Sequence, residues 1–470
     1  MVFSSFAFLL LFMSITVLLH WVLPAKWRNP FLLLVSLIFY AYGEQIYTVV
    51  MLVTIGVDYL AGLWIGALEQ RPDRQGLRRA VLIGTVILNL GSLCFFKYTN
   101  FLLQTVSDVF GYTVSLLKVA MPIGISFYTF QNLSYVLDVY AGRTRAQKNF
   151  IRFATYVALF PQLIAGPIVR YVEVEEQLVA RRVDPEKMAQ GIFRFCVGLA
   201  KKVLLANQVG LWASQVQELR SVQDDVLLAW LAALMVTFQI YFDFSGYSDM
   251  AIGLGHMLGF DFPENFHYPY EARSITDFWR RWHMTLSGWF REYVYIPLGG
   301  NRHGKARQVF NLFLVWFLTG LWHGAGWTFI LWGLYFFVLL VLEKFVWGRF
   351  LDKAPAFVGH LYALFFIVIG WVIFFAEDLP SLGQWLAALA GAGAGVGTQG
   401  LYFALTHALP LLAMAVGSTH LPRLLFGKVK EKCGVRGGFA LCALGTVGLL
   451  LLSVAFLEAD TFNPFLYFRF

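Results

Sequence analysis

Charge is scarce in this chain. Of its 470 residues only 14% are Asp, Glu, Lys or Arg, against about 25% in ordinary soluble domains. Hydrophobic residues make up 59% and aromatic residues 17%, and the mean hydropathy is +0.64. A surface of that composition would not stay in solution, which excludes a row of soluble domains. Cysteine is scarce as well: Cys94, Cys196, Cys433 and Cys442 form no Cys-x-x-Cys pair and no metal-ligand spacing, so neither a disulfide framework nor a zinc site is indicated. Acidic charge is in deficit, with 36 Lys+Arg over 28 Asp+Glu. The excess falls in short clusters between apolar runs, not in the continuous basic stripe that nucleic acid requires, and no nucleic-acid partner is expected.

Familiar catalytic signatures are missing too. There is no Gly-x-Ser-x-Gly elbow and no His-Glu-x-x-His. Gly395-x-Gly397-x-x-Gly400 lacks the strand and βαβ unit that would make it a dinucleotide fingerprint, and the stretch Gly391 to Gly400 reads as a flexible, uncharged external loop. Gly299-x-x-x-x-Gly304-Lys305 follows a strand-like Tyr293–Ile296, but Ala306 stands where a Ser or Thr must meet magnesium. Asn132-Leu133-Ser134 matches a glycosylation sequon inside an apolar run that no modifying enzyme reaches.

What the sequence does have is apolar runs. A hydrocarbon core of ~30 Å takes ~20 apolar residues as helix. Thirteen apolar runs lie near 3–23, 31–43, 46–68, 80–96, 119–138, 153–169, 203–213, 226–244, 308–322, 326–343, 357–376, 401–417 and 438–456, several of them too short to span unaided, which leaves about ten to twelve candidate spans. The first has no basic residue before Lys26, so it reads as a retained helix and not a signal peptide. Lys and Arg collect at 26–28, 71–79, 143–152, 170–202, 273–307, 344–353 and 423–436. The positive-inside rule places these in the cytoplasm, and both termini, with the acid-leaning Glu458 and Asp460, on the periplasmic side.

Pro122 with Gly124, Pro161, Gly166-Pro167, and Gly320 with Gly324 and Gly326 interrupt apolar runs. Non-helical backbone at membrane depth survives only when covered by protein or lining a water-filled cavity, so a tunnel is expected; kinks in packed helices are the alternative.

Ionisable side chains inside such runs cost ~3 kcal/mol at a helix centre and mark function by default. His323 lies in Trp316–Trp327 between two long apolar runs; a continuing helix puts Trp316, Thr319 and His323 on one face, and the glycines leave room for a ligand. A catalytic role and a hydrogen-bonded core histidine are both open. His283 lies in Phe278–Ser287, read as one amphipathic interfacial helix with Trp279, His283 and Ser287 on one face and Asp277 paired to Arg281. A second imidazole near His323 would complete an acid/base pair. Between 266 and 308, seven basic residues oppose three acidic ones. Arg280, Arg281, Arg291 and Arg302 are donor-binding candidates for a phosphate-bearing thioester or an acidic carrier, or else a patch for anionic lipid. Asp243 and Asp249 read as caps or as partners of those arginines, and Asp58 and Asp138 as structural.

Several stretches together resemble the membrane-bound O-acyltransferase family, and within it the bacterial branch that acetylates alginate. They are Met121–Gln131, Leu159–Arg170, Asp243–Asp249 with Pro263–Phe266, Phe278–His283 running into Tyr295–Arg302, Leu321–Gly324 and Asn463–Phe468. The resemblance spans nearly the whole chain. It implies an all-α polytopic membrane protein, a ring of about 11 tilted helices with re-entrant and interfacial helices around a tunnel. It also implies one domain over 1–470, with a catalytic core at 119–376 and C-terminal helices at 401–470. His323 matches the family's catalytic histidine, and His283 a position that holds His, Asn or Asp. Trp322, Trp327, Gln131 and Asp243 are tunnel-lining candidates. No bound cofactor is expected; acetyl-CoA or another acyl thioester is the donor, an exported polysaccharide the final acceptor. Accessory acetylation proteins and membrane lipids are the partners, in a bacterial inner membrane. D-alanyl transfer to a cell-envelope polymer and a non-enzymatic flippase are the competing readings.

The chemistry stands without the family. A neutral imidazole that takes the hydroxyl proton in the transition state accelerates attack on a thioester by ~10² to 10⁴, and burial favours that neutral form.

Overall fold

The computed structural model describes residues 2–111, 114–117, 119–222, 225–392, 395–459 and 462–463; Asp460 and the Pro464–Phe468 part of the C-terminal motif lie outside them. Every regular element described is helical, and seven helices are long and apolar enough to cross a bilayer. The helices are α1 (Ser14–Val22), α2 (Ala25–Ala41), α3 (Tyr47–Ala67), α4 (Gln75–Phe110), α5 (Ile125–Tyr140), α6 (Phe150–Ala158), α7 (Phe160–Leu163), α8 (Tyr171–Val179) and α9 (Pro185–Ala200). They continue with α10 (Asn207–Val222), α11 (Val226–Met257), α12 (Ile275–Arg281), α13 (Met284–Phe290), α14 (Gly304–His323), α15 (Trp327–Leu342) and α16 (Gly348–Lys353). The last are α17 (Ala356–Phe375), α18 (Leu379–Leu389), α19 (Thr398–Gly417), α20 (Leu421–Lys432) and α21 (Gly434–Ala459).

Two compact units result. The first comprises Met1–Phe195 with Met250–Pro263, the second Cys196–Asp249 with Glu264–Phe470. In the first, α5 is buried along almost its whole length and packs on α3 and α4. Two buried carboxylates of this unit are met locally: Asn89 on α4 donates to Asp58 on α3 at 2.7 Å, and Arg143 pairs with Asp138 on α5 at 3.2 Å. The chain breaks where Pro and Gly announced it, with Gly124 left-handed at φ 76° before α5 and α6 stopping at Ala158 ahead of the short α7.

The second unit is organised by the α14–α15 hairpin. A Cβ at Gly333 would meet the carbonyl oxygen of Trp316, and one at Gly320 that of Phe329, so glycine lets the two backbones approach at their crossing. Gly320 is thus a contact residue inside a continuous helix and not a break; the helix ends at His323 because Gly324 and Gly326 are extended. Around this hairpin Trp279, Trp316, Trp332, Phe336, Trp371 and Phe374 meet largely edge to face, the arrangement that ring quadrupoles favour.

Four expectations are corrected. The stretch 278–287 is two helices and not one: the backbone is extended at Trp282 and left-handed at His283 (φ 43°), because the Met284 N–H is drawn to the Asn265 carbonyl at 3.0 Å. Tyr293–Tyr295 lies in a short π-helix, with Ile296 in the turn after it, where the sequence suggests a strand. The glycine segment near 395 is fastened, since Gly397 N–H donates to the buried Asp225 carboxylate at 2.9 Å and Val226 N–H to the Gly395 carbonyl. Asp243 and Asp249 pair with Lys202 at 2.6 Å and Lys201 at 2.7 Å, because those lysines open the π-helix Lys201–Ala206 that follows α9.

Candidate active site

His283 sits at the junction of α12 and α13 and is 1% exposed. The start of α12 is fixed by two caps: Ser274 Oγ accepts from Asp277 N–H, and the buried Glu343 carboxylate accepts from Ile275 and Thr276 N–H. The imidazole Nδ1 lies 3.0 Å from Asn265 Oδ1. That oxygen also accepts from the Thr285 hydroxyl at 2.9 Å and its N–H at 3.4 Å. A backbone N–H can only donate, so the Asn265 atom it meets is the carbonyl oxygen, and His283 Nδ1 must carry the proton. Nε2 is then the lone-pair nitrogen, buried and without a hydrogen-bond partner among the described residues. Burial pushes this imidazole from its ordinary 6.5 down to about 3, so the ring is neutral. Phe244 packs edge-on at 4.8 Å between ring centroids.

A cavity of about 230 Å³ adjoins it, lined among others by Arg280, His283, Ser287, Arg291, Trp316 and Thr319. The four candidate arginines therefore separate. Arg280 and Arg291 line the cavity. Arg281 turns to Asp277 at 2.9 Å, the i, i+4 pair that the sequence suggested. Arg302 is exposed in the turn before α14.

His323 is the last residue of α14, half-buried and enclosed by aromatic edges. Its ring centroid lies 5.0 Å from Trp322, 4.9 Å from Trp332 and 5.3 Å from Phe374, all near perpendicular. Trp322 also lies 5.9 Å from His283, so both imidazoles are neighbours of one indole. Trp316 and Thr319, on the face that leads to His323, line the His283 cavity. Trp327 opens α15 and is 51% exposed. Asp243 is buried against Lys202, and Gln131 is buried in α5 of the first unit. Sequence reasoning set Ser287 on the His283 face, quoted Asn265 and Tyr295 only as parts of motifs, and passed over Thr276. Only the amide of Asn265, within an aromatic and charged motif, carried any signal.

A buried imidazole beside a cavity with guanidinium groups, in a chain with seven helices of membrane length, marks a multi-pass membrane protein equipped for group transfer. A profile of the membrane-bound O-acyltransferase family matches residues 143–382. The chain is 38% identical to the probable alginate O-acetylase AlgI of Azotobacter vinelandii over 100% of both chains. It is 43% identical to the protein of that name from Pseudomonas aeruginosa over 84% of this chain and 75% of the relative. It is 35% identical to the peptidoglycan O-acetyltransferase of Helicobacter pylori over 83% of this chain and 80% of that one. The chain belongs to the membrane-bound O-acyltransferase family and is an O-acyltransferase.

Proposed function

We propose that this enzyme takes an acetyl group from a cytoplasmic thioester, acetyl-CoA or an acylated carrier, and passes it outward through a tunnel for O-acetylation of an exported polysaccharide such as alginate. In this reading the protein sits in a bacterial inner membrane with both termini in the periplasm and works with accessory acetylation proteins. The observation that carries it is the arrangement of His283, Arg280 and Arg291 on one cavity, with Trp322 a ring neighbour of both His283 and His323.

The two guanidinium groups hold the anionic part of the donor by forked hydrogen bonds, which brings the thioester toward His283. The acceptor hydroxyl arrives on the His323 side. His323 takes the hydroxyl proton as oxygen attacks the thioester carbon, a step worth ~10² to 10⁴. The C–S bond then breaks and the departing thiolate needs that proton. His283 offers Nε2 for the return: the His323 imidazolium gives the proton up through water to Nε2, and burial makes the His283 imidazolium a strong acid, so the proton passes on to sulfur and both rings end neutral. The candidate residues all fall within 119–376, the proposed catalytic core, with 401–470 as added C-terminal helices.

Membranes containing the protein, supplied with radiolabelled acetyl thioesters, are the test. Release of free thiol with label on an added hydroxyl acceptor supports the reading. A preparation that moves substrate across vesicles without releasing thiol would sink it.

A further inference from the structure

We infer that Asn265 is the positioning residue for His283, a role that rests on the reading of His283 given above: it fixes which ring nitrogen is basic and holds the imidazole in its strained bend. Five hydrogen bonds converge on this one residue. Its side-chain oxygen collects the His283 Nδ1–H and both donors of Thr285. Its backbone carbonyl accepts the Met284 N–H, and its amide group donates to Ser248 Oγ at 3.1 Å. Asn265 is itself 1% exposed, so water does not replace any of these bonds at low cost.

The bend explains why such a clamp is present. His283 is one of two non-glycine residues with positive φ among those described, a strained conformation that persists only when its surroundings over-determine it. Asn265 holds the side chain of residue 283 and the backbone of residues 284 and 285, which is what over-determination requires. The outcome is chemical. With Nδ1 committed as donor, Nε2 is the only nitrogen that can accept a proton, and the alternative tautomer would point an N–H at Asn265 from neither position. An amide also does this without adding charge. A carboxylate in its place would accept the same bonds but would stabilise the imidazolium.

The other charged or titratable groups on the surrounding elements are committed or distant in kind. On α11, Asp243 and Asp249 are paired with Lys202 and Lys201. On α12, Arg281 is paired with Asp277, and Arg280 lines the cavity with Arg291 and Tyr295 from beyond α13. On α14, His323 is a ring neighbour of Trp322. None of them is a carboxylate hydrogen-bonded to the His283 ring among the described residues.

The experiment is the pH profile of acetyl transfer, per inserted molecule, for Asn265→Asp and Asn265→Ala in membranes. The aspartate variant should move the acidic limb of kcat/KM upward by at least one pH unit, with turnover recovering at alkaline pH. The alanine variant, which keeps the test decisive where the new carboxylate lowers insertion, should lose about ten- to a hundredfold in kcat with donor KM unchanged, as expected for a misplaced group. An aspartate profile that overlays the wild type, or an alanine variant with full turnover per molecule, overturns the inference while leaving His283 in place. Full turnover by His283→Gln overturns both it and the reading beneath it, and so tells the two failures apart.

Discussion

His283 and His323 both neighbour one indole, that of Trp322, and are held in different ways. His283 is gripped through hydrogen bonds by Asn265, in a left-handed bend, fully buried. His323 ends an α-helix, is half-buried, and meets ring edges at Trp322, Trp332 and Phe374. Hydrogen bonds select a tautomer; aromatic edges fix position while leaving tautomer and solvation open. An imidazole that must both take a proton and meet an arriving hydroxyl gains from the second setting, and one that relays a proton in a fixed direction gains from the first. Substitutions that separate selection from placement test this contrast.

The largest effect is expected at His323. His323→Ala should abolish acetyl transfer with near-normal insertion, since the flanking helices keep their apolar contacts. His323→Gln keeps hydrogen bonding but accepts no proton, and should be almost as inactive; label transfer against immunoquantified protein reads both. Substantial turnover by the glutamine variant would move the base to His283.

His283→Ala comes next, with a loss of about ten- to a hundredfold and thus less than at His323. It also has a stability signature. The folded imidazole is pushed to about 3 from an ordinary 6.5, so between those values the unfolded chain binds more protons and stability falls as pH drops. His283→Asn should flatten that decline in a thermal-shift series in detergent. An unchanged slope would mean that the decline comes from other groups.

Gly333→Ala should strain the hairpin that both histidine environments share. Its new Cβ would press on the Trp316 carbonyl, and overpacking of this kind costs about 1–3 kcal/mol. The hairpin carries His323, and Trp316 lines the His283 cavity, so detergent stability and kcat should drop together. A variant with wild-type stability and turnover would show that the crossing tolerates the methyl group.

Much of this was readable in the chain. His323 is a lone titratable group in an apolar run, and Gly324 and Gly326 end its helix as their flexibility suggests; Pro122, Gly124 and Pro161 interrupt helices where expected. The Arg281–Asp277 pair follows from helical spacing alone. The break at His283 was hidden because no Pro or Gly marks it: a bond from Met284 to Asn265, distant in sequence, imposes it. Likewise nothing in the order of residues tells Asp243 to choose Lys202 over an arginine. That choice is made by which helices lie side by side.

The smallest effects concern the arginines. Neutralising Arg280 and Arg291 together should raise donor KM several-fold with kcat little changed, and added salt should narrow the gap from wild type.

Arg302→Gln should then do almost nothing. Its side chain is exposed in the turn ahead of α14 and does not line the cavity. Exposed charges separated by more than a Debye length, about 8 Å at physiological ionic strength, are largely screened. A donor held by contact will therefore feel Arg280 and Arg291 and ignore Arg302, whereas a donor gathered by the summed field of the basic segment will feel all three alike. Donor KM measured for each variant at low and high salt separates these cases. A KM for Arg302→Gln that rises as far as that of Arg280→Gln at low salt, and returns to normal at high salt, would replace the forked contact by long-range steering and leave the cavity to the two histidines.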